Sequence, residues 1–165
     1  MTAAARLRPA VPADAPALAV LRHEFRTALD PLVEPEPGFH ARCVAWMAAR
    51  LPNAEVWRCW MAEDAAKGPQ GMVWVQFLEK VPNPVREPEL HAYLTSFYVR
   101  PMARNQGVGS ALLEAALAAC ADRGVDTVFL WPTPRSRVLY LRHGFIDRAG
   151  MLERRFWSGS PHQAT

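Results

Sequence analysis

Lysine is almost missing from this 165-residue chain: of 19 basic residues only Lys67 and Lys80 are lysines, and the formal net charge is +3. The arginines that carry the charge are scattered. No run of Lys or Arg forms a nucleic-acid footprint, and no RNP, zinc-finger or basic-helix pattern is present, which excludes nucleic acid as a partner. Cysteine is scarce as well. Cys43, Cys59 and Cys120 lie far apart and are odd in number. Without a CxxC pair they imply neither a zinc knuckle nor a disulfide framework, so no metal is expected and the default setting is reducing and cytoplasmic. Long apolar runs are missing too. Nothing approaches the roughly 18 residues of a membrane span, and Arg6 and Arg8 near the N-terminus are followed by no apolar stretch of the kind a secretory signal needs. No membrane partner is expected. What remains, 50% hydrophobic and 21% charged residues, is the composition of an ordinary globular protein. The length suits one core, so a single domain over residues 1–165 is expected.

Prolines punctuate the chain and periodicity fills the gaps between them. Arg6–Arg8 reads as a short strand, with Asp14 as the N-cap of a helix over 15–29 marked by Leu18, Leu21, Phe25 and Leu29. Residues 30–38 form a proline-rich loop. Phe39, Cys43, Met47 and Leu51 mark a second helix, stopped by Pro52. Val56–Ala62 and Gly71–Leu78 read as strands around a Lys67-Gly68-Pro69 turn, and Val81–Pro88 as a loop. Leu90–Val99 is apolar on both alternating faces, the pattern of a strand in the middle of a sheet. Gly107–Arg123 is a strong helix with Gly124 as its stop. Thr127–Trp131 follows as a buried strand, Pro134–His143 as a short helix ended by Gly144, and Phe145–Trp157 alternates well enough for one or two more strands. The class is α/β, or α+β on a stricter definition: a mixed, mostly antiparallel central sheet flanked by helices, with a βαβ unit over 90–131.

The chemistry gathers at the turn Val99-Arg100-Pro101-Met102-Ala103-Arg104-Asn105-Gln106-Gly107-Val108-Gly109-Ser110. A strand feeds a glycine-containing turn that opens directly into a helix, whose first N–H groups have no internal partner and whose dipole is positive there. That makes an anion site. Three phosphate-binding classes compete for it. A Walker A loop needs Gly-Lys-Ser/Thr, and Gly109 is followed by Ser110 and Ala111. A dinucleotide fingerprint needs a third glycine where Leu112 stands, and an acidic residue where the next strand ends in Trp131 and Pro132. The third class is Arg/Gln-x-x-Gly-x-Gly/Ala, and Arg104-x-x-Gly107-x-Gly109 satisfies it.

With Val99 and Pro101 upstream and Leu112-Leu113 downstream, this segment resembles the coenzyme A pyrophosphate loop of the GCN5-related N-acetyltransferases. Asn105 stands where glycine is common in that family, and Asn tolerates unusual backbone angles. Leu139-Tyr140-Leu141-Arg142-His143-Gly144-Phe145 resembles the family's Leu-Tyr-x-x-x-Gly-Phe segment, in the expected order. The resemblance covers roughly residues 90–146. It implies the GNAT-like acyl-CoA N-acyltransferase fold, with acetyl-CoA as acyl donor and a small-molecule or peptide amine as acceptor. A homodimer stays open.

The resemblance also implies roles. The pyrophosphate would lie on the backbone of Arg104, Asn105, Gln106, Gly107, Val108, Gly109 and Ser110. Pantetheine would pair with Phe97, Tyr98 and Val99 like an added strand, the Phe97 N–H polarising the thioester carbonyl. Thr133 stands where the family often has an Asn that reaches the pantetheine arm. Tyr140 is the general acid: a phenol near pKa 10 can protonate a thiolate whose conjugate acid lies near 8.5. For the base, His91 is the group on the central strand that titrates near neutrality, with Glu79 and Glu89 as alternatives. His91, Tyr93, Thr95, Phe97 and Val99 are expected on one face. Of the six tryptophans, Trp46, Trp57, Trp60, Trp74 and Trp131 read as core, with one or two available to line an acceptor pocket. Carboxylates on the loops that the family places over the acceptor, Asp30, Glu34 and Glu36 with Glu79, Glu87 and Glu89, suit a cationic amine. A non-catalytic acyl-CoA-binding or sensing module on the same scaffold is the competing reading.

Overall fold

The computed structural model describes residues 5–30, 37–148, 150–154 and 156. The chain divides into two compact units, residues 1–130 and 131–165. The first holds one five-stranded sheet in chain order: β1 (Arg6–Pro9), β2 (Trp57–Asp64), β3 (Gly68–Glu79), β4 (Leu90–Val99) and β5 (Thr127–Phe129). The first four strands are antiparallel to their neighbours, and β5 pairs parallel with β4. The helices of this unit are α1 (Ala15–Leu29), α2 (Phe39–Arg50) and α3 (Val108–Asp122); α4 (Arg137–Arg142) belongs to the second.

Register assigns the strand residues to two faces, because directly opposed residues project on the same side. Cys59, Met61, Met72, Trp74 and Tyr98 face α1 and α2, where they join Leu18, Leu21, Phe25 and Met47 in one buried cluster. The i, i+3, i+4 spacing of α1 puts its apolar stripe there. Val73, Val75, Ala92 and Leu94 take the other face, and α3, which buries Leu112, Leu113 and Ala116, packs on β2, β3 and β4. Each of these buried Val and Leu side chains contributes about 1.5–3 kcal/mol relative to exposure.

Several expectations are corrected in detail. Asp14 precedes α1, but its carboxylate makes no helix-cap bond. It turns back to accept from the Val11 N–H at 2.8 Å and from both terminal nitrogens of Arg8 at 2.7 and 2.8 Å. That guanidinium bond is the main reason the Asp14 carboxyl is held below its ordinary value. Gly68 and Pro69 already belong to β3, because the Asp64 carboxylate accepts from the Ala66 and Lys67 N–H groups and closes the hairpin before them. The fifth strand stops at Phe129 rather than Trp131. Among the described residues of 145–156 there is no strand. Alternation supplies a face, but Leu152 and Phe156 stay exposed and that backbone finds no neighbouring strand.

The larger departure lies inside β4. Met72 opposes Tyr98 and Trp74 opposes Thr95, so Val73 faces two residues, Ser96 and Phe97. Ser96 takes a left-handed φ of 49°. This bulge inverts the alternation: His91, Tyr93 and Thr95 share their face with Tyr98, and Val99, opposite Gly71, lies on the α3 side. The expected single face of His91 through Val99 is therefore broken at Ser96.

Candidate active site

β4 is paired by β3 along its length, while β5 matches only His91, Ala92 and Tyr93. The β5-side edge of β4 from Leu94 to Val99 therefore runs on without a strand beside it among the described residues. Such an edge takes an extended ligand by backbone hydrogen bonding. Phe97, Tyr98 and Val99 are all on it, and the bulge sits at its centre.

The strand then turns into α3. Pro101–Ala103 form a short 3-10 turn, Asn105 has φ 59°, and Gly107, the residue before α3, has φ 83°. Two left-handed residues this close aim successive N–H groups inward, the concave geometry that binds anions. Gly107 is needed for that backbone conformation rather than for space, since a Cβ there would meet nothing within 4 Å. Asn105, of the residue types with side chains, is among those that adopt the conformation most readily. The turn is braced internally. Arg104 donates through Nε to the Val99 carbonyl at 2.9 Å and lies 5.9 Å from the centre of the Tyr98 ring, and the Gln106 amide donates to the Met102 carbonyl at 2.8 Å. Val108, Gly109 and Ser110 open α3, so their N–H groups point out of the helix toward this turn. The arrangement fits a pyrophosphate.

A profile of the acetyltransferase (GNAT) family matches residues 20–145. The chain belongs to that family. Among solved structures, a predicted acetyltransferase with acetyl-CoA from Clostridium acetobutylicum superposes at a TM-score of 0.76 with 21% identity, covering 92% of this chain and 96% of that one. A GCN5-related N-acetyltransferase from Ralstonia eutropha gives 0.72 at 22% identity over 92% and 98%. Glucosamine-6-phosphate N-acetyltransferase from Arabidopsis thaliana gives 0.73 at 12% identity over 93% and 99%. No curated protein matches the chain. The GNAT acyltransferase fold, with its mixed sheet, is thus the fold of this chain.

Other residues of interest fall elsewhere. In the second unit, Tyr140 of α4 is buried, with its ring 5.4 Å from Phe145 in an edge-on contact. Thr133 caps the turn before α4 by exchanging hydrogen bonds with Ser136. His91 lies beside Asp126, Nδ1 to Oδ2 3.8 Å. It precedes Phe97 by six strand residues, which places it about 20 Å away along β4, too far for direct proton transfer with a group bound at Phe97. The Glu87 carboxylate is taken by Lys80 at 2.9 Å and by Asn83, and Lys80 also reaches Asp126 at 3.1 Å. Glu79 ends β3 and is exposed. Glu34 and Glu36 lie outside the described residues. Among the described residues no group of three His, Cys, Asp or Glu is placed to hold a metal ion, and no helix is long and apolar enough to cross a membrane.

Sequence reasoning missed two features of the first unit. One is an open cavity of about 620 Å³ beside the end of β4, lined by Glu24, Tyr98, Arg100, Gln70 and Met102 among others. Its polar groups brace one another. Arg100 forks onto Glu24 at 2.7 and 2.9 Å and reaches the Pro69 carbonyl, while the Gln70 amide serves the carbonyls of residues 67–69. Burial, with Glu24 close by, raises the Tyr98 phenol. The other is Arg22 of α1, which donates to the Ser96 hydroxyl at 3.1 Å, at the bulge itself.

Proposed function

We propose that this GNAT chain transfers an acetyl group from acetyl-CoA to a primary amine of a small molecule or peptide by direct attack. The observation that carries the reading is the continuity of two features: the edge of β4 that β5 leaves beyond Tyr93, and the left-handed turn at Asn105 and Gly107 that opens α3. One would take the pantetheine amides and the other the pyrophosphate.

Acetyl-CoA supplies the activated acyl group as a thioester. The backbone N–H of Phe97 polarises the thioester carbonyl, where developing negative charge is stabilised by a donor already in place. Backbone donors of residues 104–110 fix the pyrophosphate; the Thr133 hydroxyl is engaged by Ser136, so Thr133 gives pantetheine less than the two hydrogen bonds an amide side chain would offer. The neutral amine attacks the carbonyl carbon, the new C–N bond forms and the C–S bond breaks. The departing sulfur takes the proton of Tyr140, a role that rests on the Leu139–Phe145 motif. The surplus proton of the amine leaves through water, since His91 is out of direct reach, and a proton from solvent restores the Tyr140 hydroxyl.

The test is a paired measurement of binding and turnover. Coenzyme A raises the Tm of wild type by mass action. Gly109→Glu, which sets bulk and negative charge at the first turn of α3, abolishes that shift in a folded protein; an unchanged shift removes the turn from the cofactor site. Tyr140→Phe keeps the coenzyme A shift and lowers turnover by roughly ten- to a thousand-fold, the usual size of a general-acid effect. Turnover near wild type across pH, with chemistry rate-limiting, rules Tyr140 out as the acid. Absence of turnover on any amine, with coenzyme A bound, favours the sensing module.

A further inference from the structure

Arg22 is an arginine on the wrong side of its helix. It follows Leu21 and precedes Phe25 on the stripe by which α1 packs on the sheet, and it is only partly exposed. Its guanidinium carbon lies 5.6 Å from the centre of the Phe25 ring, and one nitrogen meets the Ser96 hydroxyl at 3.1 Å. A guanidinium carries five N–H donors and no acceptor. Among the described residues no carboxylate lies within ion-pair reach of it. The charged and titratable groups nearest to it are Arg26, Cys43 and Tyr93, and desolvation first, then Arg26, pushes Arg22 down to about 10. It is still a full cation at neutral pH, held where water is scarce and where no carboxylate of the described residues pairs with it, an arrangement that costs stability.

A second donor on the same face lacks a partner altogether among the described residues. Trp74 is 2% exposed, opposes Thr95 one residue before Ser96, and its indole Nε1 has no hydrogen-bond partner among the described residues. Buried donors are nearly always satisfied. An arginine that meets one hydroxyl with its five donors, and an indole N–H that meets none among the described residues, both beside the bulge of β4 on the α1 face, point to an acceptor of hydrogen bonds that arrives from outside.

We propose that Arg22, seconded by the Trp74 N–H, holds an oxyanion of the acceptor substrate, so that the amine acetylated by this chain carries a carboxylate or phosphate a few bonds from its nitrogen. The inference rests on the acetyl-transfer reading, which puts the thioester carbonyl at the Phe97 N–H. Bond lengths from the Ser96 hydroxyl to that nitrogen, with the Arg22 contact added, limit the separation of guanidinium and N–H to at most about 9 Å, the span of a small amino acid or amino phosphate. The planar fork of arginine suits either oxyanion. This charge requirement is opposite to that of a dicationic acceptor drawn in by loop carboxylates.

The experiment compares kcat/KM for leucine against isoamylamine and O-phosphoethanolamine against ethanolamine, with 1,5-diaminopentane as the dication, in wild type, Arg22→Gln and Arg22→Lys. Wild type prefers the acidic member of at least one pair by tenfold or more, chiefly through KM. The preference vanishes in Arg22→Gln and is partly kept in Arg22→Lys; the pair that shows it tells carboxylate from phosphate. A thermal shift with N-acetyl-leucine and O-phospho-N-acetylethanolamine, each in the presence of coenzyme A, reads binding without turnover and follows the same order. Preference of wild type for the neutral or dicationic amine, or an acid preference that survives Arg22→Gln, overturns the inference and leaves acetyl transfer standing. If no amine turns over, acetyl transfer falls, and the thermal shift then decides for or against an oxyanion at Arg22. Should Arg22→Gln fail to fold, the wild-type preference and the Arg22→Lys variant decide the question between them.

Discussion

On the α3 side of the sheet, Val73, Val75 and Leu94 meet Leu112, Leu113 and Ala116, all of them at 0–1% exposure, and none brings a polar side-chain atom. On the α1 side the same strands carry Trp74, whose N–H has no partner among the described residues, Tyr98 beside the Glu24–Arg100 pair, and Ser96 bonded to Arg22. One face obeys every rule of a packed core, and the other breaks several within one short stretch of β4. Local inconsistency of that kind is what a functional surface leaves on a fold that is otherwise self-consistent. The difference also separates the roles of the two sides: stability is expected to respond most on the α3 face, and substrate handling on the α1 face.

Leu112→Ala tests the first half of that contrast and carries the largest stability effect. Leu112 is fully buried, and truncation of a buried leucine costs about 2–5 kcal/mol. Chemical denaturation should show the loss as a lower midpoint with an unchanged slope, while the ratio of kcat/KM between acidic and neutral amines stays where it is. A changed ratio would mean the faces are coupled. Gly71→Ala is next. A Cβ there would stand 2.7 Å from the Tyr98 carbonyl oxygen and 3.1 Å from Leu112 Cδ1, so β3 and β4 must part just before the turn. A cost of about 1–3 kcal/mol is expected, together with a smaller coenzyme A thermal shift, because the displaced strand leads into the pyrophosphate loop. Full retention of that shift would show that the turn is held independently of the β3–β4 ladder.

Much of this arrangement is legible in the residues. Leu90–Val99 and 15–29 appear as elements with the boundaries read from proline punctuation and apolar spacing, because both patterns are local. Asn105 at a left-handed φ could be foreseen from its place between Arg104 and Gly107. The bulge at Ser96 could not. It is one extra residue in a strand that is apolar on both faces, so a flipped alternation leaves no polar residue out of place to betray it. Nor could Arg22. It stands at i+4 from Leu18, on the stripe with Leu21 and Phe25, but what it meets there cannot be read locally, because its partner Ser96 is 74 residues away. His91 is a different case: its residue type fits a base, but six residues of strand rise before Phe97 already set it about 20 Å away. Asp14 was legible as a helix-start residue, yet its fork to Arg8 is decided by the path of β1.

Trp74→Phe carries the smallest stability effect and separates the two faces most finely. Replacing indole by phenyl removes part of a buried ring, and at about 24 cal/mol per Å³ the small cavity left behind costs on the order of 1 kcal/mol. The same change deletes the Nε1–H that has no partner among the described residues, and relief of a stranded buried donor returns about 1–3 kcal/mol. The two terms oppose each other, so the variant should lie within about 2 kcal/mol of wild type, in either direction, where a tryptophan satisfied by the protein itself would lose more. The ring contacts with Trp46 and Trp57, at 5.6 and 6.1 Å between centroids, are kept in kind by phenylalanine. The acceptor side should respond differently, with a rise of a few-fold in KM for the acidic amine and none for its neutral analogue. Denaturant titration and paired kinetics on one preparation check both halves. A stability loss beyond about 3 kcal/mol with no change in KM would show that the indole N–H is held by the fold, and that the α1 face differs from the α3 face in composition alone.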